Sequence, residues 1–320
     1  GGTGMVGQQL LKILIDLGSN VRVVSLDNPQ LVSNFQSKSV EFIQSDLSIL
    51  DNCEKACDDI DIVFSLLGST GSPKTNFENP ATFMYANTIP SMNLLEGARI
   101  KKVNEYLYTS TYGVYSHGSV MNEGNIWSST PSENDKYAGY AKRMGELQIE
   151  AYKKQYNWNN LYVVRPANIY GPFANFNNLN SMVVPSLIKK FCSGLDEVEI
   201  WGDGSPVRDF IYSYDVAKMM VDVVVNEILQ PINLGSGSGT SIKDLALTIQ
   251  KSPHLEKKIK LKFNTDKPNG DPIRVLDMTF ANKNSIKSQT SLEIGINETI
   301  KWYLKNSDIH NFKYNAFEGK

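Results

Sequence analysis

The chain has little of what marks several large protein classes. Three cysteines, Cys53, Cys57 and Cys192, are an odd number without disulfide spacing, so a reducing compartment is expected, the cytoplasm by default. Histidine is equally scarce. His117, His254 and His310 are scattered along the sequence, so although Cys53 and Cys57 share one helix face, no metal site is expected and the two thiols read as half-buried helix residues. Basic charge is not in excess: 32 Lys and Arg stand against 34 Asp and Glu, a net charge of -2, which leaves no electrostatic footprint for nucleic acid. Long apolar runs are missing too. The most apolar helical stretch, Val216 to Leu229, is broken by Lys218, Asp222, Asn226 and Glu227, so no membrane span is expected, and no signal peptide is visible. Repeats and low-complexity tracts are absent.

What is present is a glycine-rich opening, GGTGMVGQQL. Gly2, Gly4 and Gly7 fit G-x-G-x-x-G, and Gly1, Gly4 and Gly7 fit the related G-x-x-G-x-x-G; both registers imply a dinucleotide. Glycines let the backbone turn sharply beside a pyrophosphate, and the helix that Met5 and Val6 open offers unpaired N–H groups and a positive dipole end. Such a turn follows a buried strand, so we expect a first strand ahead of Gly1, without which the chain would fold poorly and bind NAD weakly. Gln8 to Leu17 has helical apolar spacing stopped by Gly18, and Val21 to Asp27 reads as a buried strand. Asp27, twenty residues past Gly7, would accept hydrogen bonds from the adenosine ribose hydroxyls and repel a 2′-phosphate, which favours NAD over NADP.

The rhythm continues as a strand at Val40 to Gln44 leading to Asp46 and Leu47, a helix, and the run Ile60 to Gly68. Asn87 precedes a helix from Ser91 to Arg99, and EYLYTSTYGVY supplies a strand ending in hydroxyl residues. This alternation predicts a doubly wound parallel α/β sheet of Rossmann type. Asp46 would meet the adenine edge, and Leu66, Leu67 and Gly68 would pass under the cofactor. Ser110 and Thr111, at a parallel strand's carboxyl end, become candidates for chemistry. A long amphipathic helix follows in DKYAGYAKRMGELQIEAYKKQY, then the strand LYVVRPANIYGP. Beyond it come a helix at Val183 to Cys192, the strand EVEIW, a strand and helix over Phe210 to Val225, a strand at Lys258 to Phe263 and a terminal helix at Ile296 to Leu304. The expected division is a dinucleotide-binding domain over 1–170, rejoined by 210–228, and a smaller α/β substrate domain over 171–320.

Together GGTGMVG, Asp27, Asp46-Leu47, Asn87, TSTYGVY, AKRMGE, RPANIYGP, GDGSPVRDFIYSYDVA and GDPIRVLD resemble the extended short-chain dehydrogenase/reductases of the NAD-dependent epimerase/dehydratase family. GPFANFNNLNSMVVPSLIKKF and EIWGDGSPVRDF are most similar to GDP-L-fucose synthase relatives. The resemblance implies a nucleotide-sugar substrate, a GDP-sugar by that likeness, and hydride transfer at sugar C4 as a 4-dehydrogenase or 4-epimerase. It implies Asn87 and Lys142 at the cofactor, Thr111 (or Ser110) on the reacting oxygen, and Asn168 near the sugar or phosphates. Arg208 would pair the pyrophosphate, Arg274 would make a second phosphate contact and Trp201 would wall the base pocket. A homodimer through the helices after Asn87 and Gly139 is also implied.

The family's proton-carrying tyrosine stands four residues before the lysine, and here that position is Ala138. On a regular helix Tyr137 lies about 140° and Tyr140 about 160° from Lys142, against about 40° for a spacing of four. Either Gly139 is an insertion absorbed by a bulge that restores Tyr137, or another group carries the proton. The cysteine and histidine that GDP-L-fucose synthases use in epimerisation match Gly113 and Met182, so their double epimerisation is not expected. A 4,6-dehydratase would need an Asp-Glu pair where Tyr112-Gly113 stands. The alternative outside catalysis is an NAD-binding regulator or scaffold on the same fold.

Overall fold

The computed structural model describes residues 1–35, 39–69, 77–116, 118, 120–176, 181–255, 259–267, 269–306 and 314. His117, His310, Lys258 and positions 177–180 of the GPFANF run lie outside them.

Gly4 opens α1 (Met5–Asp16), whose apolar stripe of Leu10 and Ile13 packs on Ala217 and Val221 of α6 (Ser213–Val225). Gly18, at φ +82°, ends it in the left-handed conformation that glycine adopts without strain. The strand that follows, β1 (Val21–Ser25), pairs in parallel with β2 (Val40–Gln44). A second parallel sheet runs β3 (Ile62–Ser65), β4 (Glu105–Thr109), β5 (Leu161–Pro166) and β9 (Ile232–Leu234). Buried on both faces, β5 is a continuous apolar run broken only by Arg165. The two sheets line a shared cavity of about 720 Å³, walled by Leu10, Val23, Ile62 and Phe64 among others. Among the described residues, no strand pairs with β1 or β3 on the side that faces this cavity.

The helix read as Ser91 to Arg99 is the middle of α3 (Pro80–Ile100), a 21-residue helix. Proline opens it where no N–H is needed, and Pro90 is carried inside because neighbouring helices hold both flanks. A Cβ at Gly97 would stand 2.8 Å from the Cys53 backbone of α2 (Leu50–Ala56), so glycine permits that crossing. On the other side α4 (Lys136–Tyr156) is tied to α3 by Gln148 Nε2 donating to Met92 O (3.0 Å) and Tyr152 Oη to Glu96 (2.6 Å).

After β5 the chain leaves for β6 (Asn168–Tyr170), α5 (Val183–Phe191), β7 (Glu197–Trp201) and β8 (Val207–Tyr212). β8 pairs with β6 and β12 (Ile273–Arg274) in parallel and with β10 (Gly239–Ser241) antiparallel; β7 pairs with β11 (Lys260–Asn264). A separate core gathers Phe176, Ile188, Val198, Leu245 of α7 (Ile242–Gln250) and Ile296 and Ile300 of α9 (Leu292–Lys305). No helix of the described residues is long and apolar enough to cross a membrane.

Candidate active site

Three glycines of the opening turn are required by contact. A Cβ on Gly7 would lie 2.5 Å from the carbonyl oxygens of Gly1 and Gly2, one on Gly2 2.7 Å from Val23, and one on Gly1 2.4 Å from Leu66 O. Backbone thus passes between β1 and the end of β3 with no room for side chains. The N–H groups that open α1, among them those of Met5 and Val6, are the unpaired donors of a helix start. Just past the end of β1, Asp27 accepts from Thr3 Oγ1 (2.6 Å) through one oxygen and from the Tyr314 backbone N–H (2.6 Å) through the other. The turn and the carboxylate fit a dinucleotide's pyrophosphate and ribose. The 720 Å³ cavity is a different place. It opens along the buried flank of the turn and the amino ends of the strands, past Ser19, Asn20 and Ser39, whereas parallel sheets bind ligands at carboxyl ends.

Lys142 is the best-fixed member of the site. Its Nζ donates to Leu67 O (2.7 Å) and Thr109 O (2.9 Å), the carboxyl ends of β3 and β4. Burial pushes its pKa down to about 8, opposed by the Glu146 carboxylate one turn along the helix. A Cβ on Gly68 would lie 3.3 Å from Asn87 Oδ1 and 3.5 Å from Lys142 Nζ, so Leu67, Gly68, Asn87 and Lys142 converge. Asn87 is oriented by Nδ2 donating to Phe83 O (2.8 Å) and Oδ1 accepting from Ser69 N–H (3.1 Å). Asp46 accepts from Ser48 N–H (2.9 Å), and Leu47 is buried with its carbonyl receiving the Cys53 thiol (3.2 Å). No hydrogen bond ties either to the glycine turn among the described residues. Burial raises both Cys53 and Cys57 to about 12, so neither thiol is reactive at neutral pH.

At the end of β4 the two hydroxyl residues part. Ser110 is buried and donates to Glu146 Oε1 (2.5 Å). Glu146 is held in turn by Arg165, from Nε at 3.0 Å and Nη2 at 2.7 Å, and Arg165 also donates to Tyr115 Oη (3.0 Å). This buried network joins the end of β4 to α4 and β5. No motif announced it; an arginine inside an otherwise apolar strand was the available signal, because a buried charge demands a partner. Among the described residues the Thr111 hydroxyl stays outside the network and accepts from Gly113 N–H (3.2 Å). α4 is continuous helix through Gly139, without a bulge. Tyr137 is 40% and Tyr140 37% exposed, and no hydrogen bond joins either to Lys142 among the described residues.

A second cluster is assembled from five segments. Asn168 Nδ2 donates to Asp209 O (3.1 Å), which turns its Oδ1 toward the Tyr112 hydroxyl (2.9 Å). Arg274 is ion-paired with Asp135 and with Asp271 (3.3 Å), and its guanidinium lies 4.5 Å from the centre of the Tyr112 ring. Its charge is therefore already matched. Arg208 donates to the carbonyls of Asp271 (2.6 Å) and Val207 (2.9 Å) and has no ion pair among the described residues; burial lowers its pKa. Trp201 is half exposed, with Lys267 Nζ 5.6 Å from its ring, and is linked to the others by no hydrogen bond among the described residues. Tyr112 and Asp135 were not foreseen as site members; Tyr112 was weighed only as a missing acidic residue. Met182 caps α5 at 36% exposure.

Comparison with known proteins shows the family and the fold. GDP-L-fucose synthase of Escherichia coli (strain K12) is 30% identical over 269 residues, 79% of this chain and 83% of that protein. Probable GDP-L-fucose synthase 1 of Oryza sativa subsp. japonica is 28% identical over 314 residues, 96% of this chain and 91% of that one. Among solved structures, UDP-N-acetylglucosamine 4-epimerase from Methanobrevibacter ruminantium M1 superposes with a TM-score of 0.81 over 95% of this chain and 96% of that one at 24% identity, which speaks to the fold. Residues 1–235 match the family model "NAD dependent epimerase/dehydratase family", and with it the Rossmann-type sheet, the glycine turn and the buried lysine have one reading: the chain is a nucleotide-sugar enzyme of that NAD-dependent family.

Proposed function

We propose that the enzyme binds a GDP-sugar and exchanges a hydride at sugar C4, acting as a 4-dehydrogenase or 4-epimerase. Bound NAD supplies the hydride acceptor or donor. The observations that carry the reading are Lys142, held on the Leu67 and Thr109 carbonyls at the ends of adjacent parallel strands, and Arg208, a half-buried guanidinium whose hydrogen-bond partners among the described residues are carbonyls. Gly1, Gly2, Gly4 and Gly7 leave room for a pyrophosphate, Asp27 takes the adenosine ribose, and Lys142 takes the nicotinamide ribose. Thr111 bonds the reacting oxygen. Arg208 takes the sugar nucleotide's phosphates, because its planar fork fits two phosphate oxygens at once, and Asn168 lies near the sugar or phosphates. Arg274 supports them from behind. The guanine nucleotide is favoured by the fucose-synthase likeness.

A 4,6-dehydratase reading is disfavoured because Tyr112 and Gly113 supply no carboxylate next to Thr111. The division at about residue 171 belongs to the same reading, with the returning segment running from α6 to Leu234, since α6 packs on α1 and β9 pairs with β5 while β8 pairs with β6, β10 and β12. Exposed Met84 and Tyr85 on α3 and Met144 and Leu147 on α4 suit a homodimer face. Three free thiols suit the cytoplasm.

The test incubates purified protein and NAD(H) with a panel of GDP-, UDP- and dTDP-sugars and their 4-keto forms. Nicotinamide absorbance, product exchange and deuterium at C4 are followed. Turnover is expected with a GDP-sugar and is lost in Lys142→Met. Failure of the whole panel, or equal turnover by Lys142→Met, overturns the assignment.

A further inference from the structure

Resting on the C4 reading, one question remains in the cleft: which group carries the proton of the reacting oxygen when Tyr137 and Tyr140 point elsewhere. Tyr106, Tyr108 and Tyr115 are buried in the core, and Tyr115 is committed to Asn233 Oδ1 (2.7 Å). Tyr108 lies behind Lys142, donating to its main-chain carbonyl (3.3 Å). Tyr112 is different. Thr111 is still extended (φ -159°, ψ 155°) when a single turn of 3₁₀ helix, Tyr112–Val114, begins. That turn leaves the two adjacent hydroxyl side chains with different partners, Thr111 in the local turn and Tyr112 on Asn168, the residue assigned to the sugar or phosphates.

We propose that the Tyr112 hydroxyl is the proton-carrying group for the reacting sugar oxygen, taking the part that the helix geometry denies to Tyr137. The ring is fixed from two sides. Arg274 lies over its face, immobilised by Asp135 and Asp271, and Asn168 holds the hydroxyl through an amide whose other end is pinned to Asp209. The charged groups facing it are Asp135 from the start of α4, Arg208 from β8, and Asp271 and Arg274 from β12 and the residues before it. Burial raises its pKa above the ordinary tyrosine value, with the two arginines opposing, so at neutral pH the phenol is protonated. A protonated phenol serves reduction of a 4-keto sugar directly. The nicotinamide, which Lys142 would hold, would supply the hydride to C4; the carbonyl π pair would move onto oxygen, and that oxygen would take the phenolic proton of Tyr112. The new C4 hydroxyl donates back to the phenolate, which the arginines offset until solvent returns its proton. Oxidation is the same sequence reversed.

The experiment compares Tyr112→Phe, Tyr137→Phe and Tyr140→Phe, each with NAD(H) and the GDP-sugar pair that the parent turns over. Phe keeps the ring beneath Arg274 and removes only the hydroxyl. Tyr112→Phe is expected to lower kcat by about 100-fold or more with KM within about threefold, the signature of a lost general acid and not of lost binding. Tyr140→Phe is expected to match the parent. A second readout needs no turnover: in an alkaline titration followed by tyrosinate absorbance, added GDP-sugar shifts one ionisation in the parent and none in Tyr112→Phe. The proposal is overturned if Tyr112→Phe turns over like the parent, if it raises KM alone, or if Tyr137→Phe takes the kcat loss instead. A parent inert toward every sugar nucleotide defeats the C4 reading and this inference together, whereas an active parent indifferent to Tyr112→Phe defeats this inference alone.

Discussion

The two walls of the cleft are built on opposite principles. On the proposed cofactor side, groups are fixed by main chain: glycines packed against backbone carbonyls, Lys142 pinned to two carbonyls beside the strand ends, Asn87 bonded to a carbonyl of its own helix. On the substrate side, side chains fix one another, as Tyr112, Asn168, Asp135, Asp271 and Arg274 arrive from distant parts of the sequence. The first wall rests on main-chain groups, which every sequence carries, and the second on side chains that substitution can exchange, which is where specificity can vary while the proposed hydride chemistry stays fixed.

The largest expected effect breaks what joins the two walls. Glu146→Ala strands Arg165 as an uncompensated buried charge and should cost about 3–5 kcal/mol of unfolding free energy, read from denaturant midpoints at constant m-value. A Glu146→Leu, Arg165→Met double variant should recover most of that loss. If Glu146→Ala is as stable as the parent, the pair does not anchor the cleft floor.

Separating the walls by ligand sharpens the contrast at a smaller magnitude. Arg208→Ala removes a charge-assisted contact, so GDP-sugar affinity should drop by about 10- to 100-fold, or about 1.5–3 kcal/mol, with NAD affinity unchanged. Calorimetric titration of each ligand checks this, and parallel losses for both would merge the two walls. Arg274→Ala, in contrast, should also lower thermal stability, because Asp135 and Asp271 each lose an ion pair.

The smallest effect is a slope. Lys142 has a folded pKa of about 8 against an unfolded value near 10.4, so between those values the unfolded chain binds more protons than the folded one. Stability should therefore rise with pH across that window, by at most about 1.4 kcal/mol per pH unit from this group. The slope should be absent in Lys142→Met; an unchanged slope assigns it to other groups.

What was legible in the sequence follows the same divide. The glycine turn, Asp27 and Lys142 could be read because their spacing along a strand-turn-helix or a single helix fixes their geometry. The same arithmetic set Tyr137 about 140° from Lys142, and an unbroken helix is what the structure contains. The cluster about Tyr112 was not legible, since nothing local ties residues 112, 135 and 274 together. Secondary structure shows a matching limit. The start of α3 was placed eleven residues late, at Ser91, because helical periodicity fades in its first turns and helix packing, not propensity, carries it through Pro90.

The order β3-β4-β5-β9 has a consequence for how the molecule can come apart. The β5–β9 pairing, Val164 with Ile232, closes a loop of 67 intervening residues that carries Asn168 and Arg208. This sheet cannot be completed during synthesis until the excursion has emerged and returned, and closing it costs entropy before any contact repays it. A protease cut between 171 and 231 should therefore leave two fragments that remain associated and unfold together, and neither should survive alone as an NAD-binding module.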